Sequence, residues 1–119
     1  MRWTRDDDAR PRYSLAMKVF RKLIRDRIPE IIAEKGERAV TRVLDDAEYR
    51  TALEHKLLEE VQEMRQGTNK NEEIADVYEV LEALVAANGF STADIQVLQE
   101  KKRVERGGFE KRLFLESVE

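Results

Sequence analysis

The sequence predicts an all-α fold, a helical bundle of three to four main helices with a short β-hairpin (residues 39–44 with 109–118), and three observations predict it. Two long segments, on either side of the polar break "GTNKN" at residues 67–71, repeat their apolar residues at helical spacing. Charged residues make up 39% of the chain while aromatics make up 7%, the balance of helices with heavily solvated outer faces. Helix-start residues such as Asp45 and Ser91, and stops such as Gly36, Gly67 and Gly89, punctuate the patterned segments.

Residues 1–16 are polar, irregular and interrupted by Pro11, and read as a flexible tail, with Met17 a candidate functional start. Residues 17–119 then form one domain. Asp26 precedes Ile28 and Pro29, which suggests a short helix from Ile28 to Lys35 that stops at Gly36, since proline is tolerated in a first turn. "AVTRVL" (39–44) is β-branched and alternating, the pattern of a short strand. Asp45 and Asp46 offer N-caps for a long helix reaching Gln66. "NEEIADVYEVLEALVAANG" reads as a second long helix closed by Asn88 and Gly89. Ser91, three residues before Asp94, opens a third that runs to about Glu105, and "FEKRLFLESV" (109–118) is a second short strand that would pair with the first.

Composition excludes several function classes. Without cysteine there is no disulfide framework, thiolate metal site or thiol nucleophile, and a single histidine, His55, excludes a histidine-rich zinc site. A net charge of −3 argues against a nucleic-acid binder held by bulk electrostatics. No apolar run approaches the length of a membrane span and the first residues lack the apolar centre of a signal peptide, so the expected location is cytoplasmic, with no membrane partner.

The acids that do not fit a solvated face are more informative. At about 100° per residue, Glu60 falls between Leu53, Leu57 and Met64, inside the apolar stripe of its helix, and Glu63 lies on the stripe's edge. In the following helix Glu73 points the same way as Val77 and Val80, and Asp76 flanks that face. An antiparallel hairpin about the polar break sets Glu63 level with Glu73 and Glu60 level with Asp76. Four carboxylates then converge, and each resists desolvation and repels the others unless it is protonated or neutralised. An all-oxygen donor set selects a hard cation, Mg²⁺ with Mn²⁺ as a substitute, and Mg²⁺ held by carboxylates keeps open positions for phosphate oxygens. The plain alternative is that these are solvated salt-bridge partners, in a chain that has 25 acidic residues to place.

The motifs Glu59-Glu60-Val61-Gln62-Glu63 and Glu73-Ile74-Ala75-Asp76, joined by a short polar turn, resemble the signature of the all-α nucleoside triphosphate pyrophosphohydrolases of the MazG-like superfamily. "KLIRDRIPEII", "VTRVLDDAEYR", "EEIADVYEVLEAL" and "KKRVERGGFEKRLFL" resemble its predicted house-cleaning branch, over about residues 17–119. The resemblance implies hydrolysis of a nucleoside triphosphate to the monophosphate and pyrophosphate, with Mg²⁺ held by Glu60, Glu63, Glu73 and Asp76. Glu59 is then the candidate to orient or deprotonate the attacking water.

Cations must hold the triphosphate. Lys22 and Arg25 precede the first helix, and Lys102 and Arg106 lead into Gly107 and Gly108, whose amides can approach phosphate without side-chain obstruction. Arg106 can grip phosphate at two points, and Phe109 can stack a base or pack the adjoining strand. Read plainly, the same residues are the cationic end of a helix and a glycine stop. The second long helix is apolar over a wide arc, from Val80 round to Ile74 and Val85, which predicts burial on two sides and a homodimer, in line with the resemblance. Two alternatives share these features: phosphoribosyl-ATP pyrophosphohydrolase, a relative with the same acidic helices, and a non-catalytic helical dimerisation module.

Overall fold

The computed structural model describes residue 18 and residues 20–119, so the expected tail at 1–16 lies outside the described residues. Four helices follow in order: α1 (Ile28–Glu34), α2 (Asp46–Gln66), α3 (Lys70–Ala87) and α4 (Thr92–Arg106). The fold is all-helical, and no described helix is long and apolar enough to cross a membrane. α2 packs along α3 and α3 touches α4, whereas α1 packs on none of the other helices.

Local chemistry sets the ends. Asp45 accepts a hydrogen bond from the Glu48 backbone N–H at 2.8 Å while the Glu48 side chain reaches back to the Asp45 N–H, a reciprocal capping box that starts α2. Arg42 grips the same Glu48 carboxylate with two N–H groups, at 3.2 and 3.0 Å, which holds that carboxyl below its usual range. Ser91 accepts from the Asp94 N–H at 3.1 Å and starts α4. At α1 the outcome differs from the sequence reading. The N-cap is Arg27, with no side-chain cap, because the first turn is closed by the backbone instead, Ile28 N–H donating to the Arg25 carbonyl at 3.1 Å.

The expected β-hairpin does not form: among the described residues there is no strand. Residues 39–44 and 112–119 are irregular, with Val43 96% exposed and Leu113, Phe114 and Leu115 turned outward. Two strands alone are marginal in water, and neither segment meets a third layer against which its β-branched and aromatic side chains could pack. Phe109, expected to pack such a strand or stack a base, is 97% exposed.

The core sits between α2 and α3. Leu53 and Val80 are its buried apolar side chains among the described residues, and they are accompanied inside by Lys56, Glu60 and Glu73. Beside so small a fully buried apolar core, many large apolar side chains of the described residues face outward.

Candidate metal centre

The link Gly67–Asn69 is too short to let α2 and α3 lie anything but antiparallel. Gly67 is the pivot. Its N–H caps α2 by donating to the Glu63 carbonyl at 2.7 Å, and a Cβ there would stand 2.9 Å from that carbonyl and 3.1 Å from Glu73 Oε1. A side chain at this position would therefore lift Glu73 off the turn. Glu63 and Glu73 together line a cleft of about 310 Å³ beside the turn.

One step further into the hairpin, Glu60, Glu73 and Asp76 each place a carboxylate oxygen within 4.8 Å of the other two. Glu60 is 0% exposed and Glu73 2%, and Asp76 is partly open. Glu63 is next to this trio rather than in it, with its Oε2 buried and without a hydrogen-bond partner. Burial first, and then the charges of Glu60, Glu59 and Glu73, push the Glu63 carboxyl up from the ordinary 4.5 to about 7. The group thus holds a proton well into the range where a solvated glutamate is ionised.

Positive side chains reach the trio from two directions. Lys56, only 5% exposed, is hydrogen-bonded to Glu59 and holds its Nζ 3.6 Å from Glu60 Oε1. Arg25 donates to Asp76 Oδ1 at 2.8 Å, so this residue stands at the carboxylates and not free in solvent. Sequence reading missed Lys56, although the signal was available: it lies between Leu53 and Glu60 on the inner face of α2, three residues before Glu59 and four before Glu60.

The donor set fits a hard divalent cation. Three carboxylates supply oxygen only, and opposite ligands about Mg²⁺ stand roughly 4.2 Å apart. The oxygens of the trio lie within 4.8 Å of one another, close to that separation.

The remaining candidates fall into two groups. Lys22 and Glu59 line a second cleft, between residues 20–23 and α2. Lys102, Arg106, Gly107, Gly108 and Phe109 are all exposed at the end of α4, and none of them belongs to the carboxylate trio or lines either cleft. Gly107 adopts φ +85°, which glycine takes without penalty, and its N–H donates to the Arg103 carbonyl at 2.8 Å, so that amide serves the helix end. Beside Gly108, Arg103 is already paired with the Glu110 carboxylate. His55 is exposed on the outer side of α2.

These features define an all-helical protein with a carboxylate cluster buried across one hairpin. No family model matches the chain, and no solved structure matches it. An uncharacterised protein of Mycolicibacterium smegmatis is similar to it, 49% identical over 49 residues, a stretch that is 41% of this chain and 50% of that protein. The chain thus matches half the length of that relative.

Proposed function

We propose that the protein is a Mg²⁺-dependent nucleoside triphosphate pyrophosphohydrolase of the MazG-like type, with Glu60, Glu73 and Asp76 as the metal ligands and Glu63 as their neighbour. The observation that carries the reading is the convergence of these carboxylates, two of them sealed from water, across the α2/α3 hairpin. Burying like charges together is unfavourable unless cations join them, and a divalent ion would add to the neutralisation that Lys56 and Arg25 supply from the edge of the cluster.

A divalent ion bound there would neutralise the charge of the phosphates and acidify a water near the α-phosphorus. Glu59, half-buried and fixed by Lys56, orients that water. The water oxygen forms a bond to the α-phosphorus, its proton passes to Glu59, and the α–β bridging P–O bond breaks with its electron pair going to the departing pyrophosphate. Lys56 and Arg25 are the cations that stand at these carboxylates, and Lys22 lines the cleft beside Glu59.

The outward apolar side chains of α4 and of the segment after it, Val97, Leu98, Val104, Leu113, Phe114 and Val118, support a homodimer as the working form. Non-standard nucleotides are the substrates that the resemblance favours. The deciding experiment is a panel of standard and modified nucleoside triphosphates, with phosphoribosyl-ATP as one arm, assayed for pyrophosphate release with and without Mg²⁺. Magnesium-dependent release from one or more of them is the expected result. No release from any, with no Mg²⁺ binding by calorimetry, would leave the non-catalytic dimerisation module.

A further inference from the structure

We propose that the cleft between residues 20–23 and α2 is a binding subsite for the pyrophosphate portion of a nucleotide, and that Lys56 serves it by exchanging a carboxylate partner for a phosphate one. The assignment of the portion bound rests on the pyrophosphohydrolase reading, whereas the anion site rests on the cleft itself.

The cleft holds about 250 Å³, room for roughly eight waters at ~30 Å³ each and therefore for two phosphoryl groups. Its polar walls are Arg21, Lys22, His55, Lys56 and Glu59. The one carboxylate among them, Glu59, is already hydrogen-bonded by Lys56. Lys22 Nζ stands 5.5 Å from the centre of the Phe20 ring and Lys18 Nζ 5.8 Å from the same centre, and Lys22 has no carboxylate partner among the described residues. The pull of an aromatic ring on the Lys22 ammonium is weak beside that of a multivalent anion. In a chain with 25 acids against 22 bases, a pocket with this excess of cations is against the average of the surface. Arg21 is held at φ +49°, a conformation that non-glycine residues seldom adopt, and it fixes where the segment turns.

Lys56 joins the cleft to the metal centre. Its side chain is buried and lines the cleft, and its Nζ lies 3.6 Å from Glu60 Oε1. Arg25 stands likewise at Asp76, at the other end of the same segment. Each is a built-in cation at a carboxylate of the trio. A divalent ion entering among Glu60, Glu73 and Asp76 competes with Lys56 for Glu60 and repels its ammonium, and a phosphate in the cleft gives that ammonium a new partner. Metal and pyrophosphate therefore strengthen each other's binding, and the coupling is equal in both directions.

The test is calorimetric titration of the full chain with sodium pyrophosphate in chelator, paired with Mn²⁺ titration followed by electron paramagnetic resonance without any phosphate. Wild type is expected to bind pyrophosphate, and Lys22→Ala and Lys56→Gln to weaken it on the order of tenfold each. Lys56→Gln is also expected to tighten Mn²⁺ severalfold, because a competing cation has gone; a merely structural lysine would lose both affinities together. Pyrophosphate affinity unchanged in both variants overturns the subsite, as does Mn²⁺ affinity that falls with Lys56→Gln overturn the exchange. Lys22 is only half-buried, so Lys22→Ala decides the subsite if Lys56→Gln fails to fold. Pyrophosphate bound in the cleft by a protein that hydrolyses no nucleoside triphosphate would refute the pyrophosphohydrolase reading and leave the anion site standing. Turnover with pyrophosphate inhibition equal to wild type in both variants would refute the anion site alone.

Discussion

The α2/α3 hairpin and the C-terminal fifth of the chain invert each other. In the hairpin, charge is inside: Glu60, Glu73 and Lys56 are buried along with only Leu53 and Val80. From residue 96 to 119 apolar groups are outside: every residue is exposed, with Val104, Leu113, Phe114 and Val118 among them. Both arrangements are costly, since buried charges resist desolvation even when paired and exposed apolar groups favour cover. The difference teaches that the two regions ask for different things, the proposed cation in one case and the proposed second chain in the other.

Breaking the hairpin side of that comparison gives the largest expected effect. Glu60→Gln and Asp76→Asn are expected to lower pyrophosphate release roughly 100-fold or more while circular dichroism stays helical, since each removes a metal ligand. Wild-type turnover in either would dismiss the assigned ligands. Supplying the ion tests the same region without mutation: at a hundred times its dissociation constant, Mg²⁺ is worth about 2.7 kcal/mol and is expected to raise the melting temperature on the order of 10 °C. A thermal melt that ignores Mg²⁺ and Mn²⁺ alike would show that the carboxylates need no cation.

On the other side, Phe114→Glu places a charge in the proposed dimer contact. It is expected to weaken association by about 2 kcal/mol, roughly thirtyfold, seen as a lower mass by light scattering at micromolar protein, with the α2/α3 hairpin still folded. A monomeric mass for the wild type would remove this half of the comparison.

The pH dependence is a finer probe of the hairpin. Glu63 titrates at about 7 when folded against 4.5 ordinarily, so the folded state binds more protons between those values. Its contribution is fully present below pH 4.5 and is lost as pH rises to about 7, so metal-free protein is expected to melt lower at pH 8 than at pH 6. Glu63→Gln should flatten that slope, and an unchanged slope would place the titration elsewhere. The smallest effect belongs to a residue in neither region: Asp45→Ala removes the α2 cap and is expected to cost about 1 kcal/mol, read by urea denaturation.

Much of the hairpin was legible in the sequence because helical periodicity is a local property. The break at "GTNKN", the cap at Asp45 and the inward positions of Glu60 and Glu73 follow from spacing that no distant contact can alter. The strands at 39–44 and 109–118 were misread because β-branched alternation states a preference for a pleated, half-covered surface and does not supply one. Lys56 was passed over because a lysine in an apolar stripe is usually a snorkelling side chain, and its ammonium here turns inward to the glutamates. The cap at Asp26 was misplaced because the Arg25 carbonyl closes that turn. The meeting of Arg25 with Asp76, 51 positions apart, is a tertiary fact that no local pattern encodes.

The outward-facing segment at 96–119 also has a consequence in time. The α2/α3 pairing joins neighbours in sequence across a three-residue link, which is the topology of fast, microsecond-to-millisecond folding. In the proposed homodimer, covering the C-terminal side chains takes a collision with another molecule, so it is second-order and slows on dilution. Refolding should therefore show a fast phase independent of protein concentration, in which the carboxylates come together, followed by a slower one that depends on it.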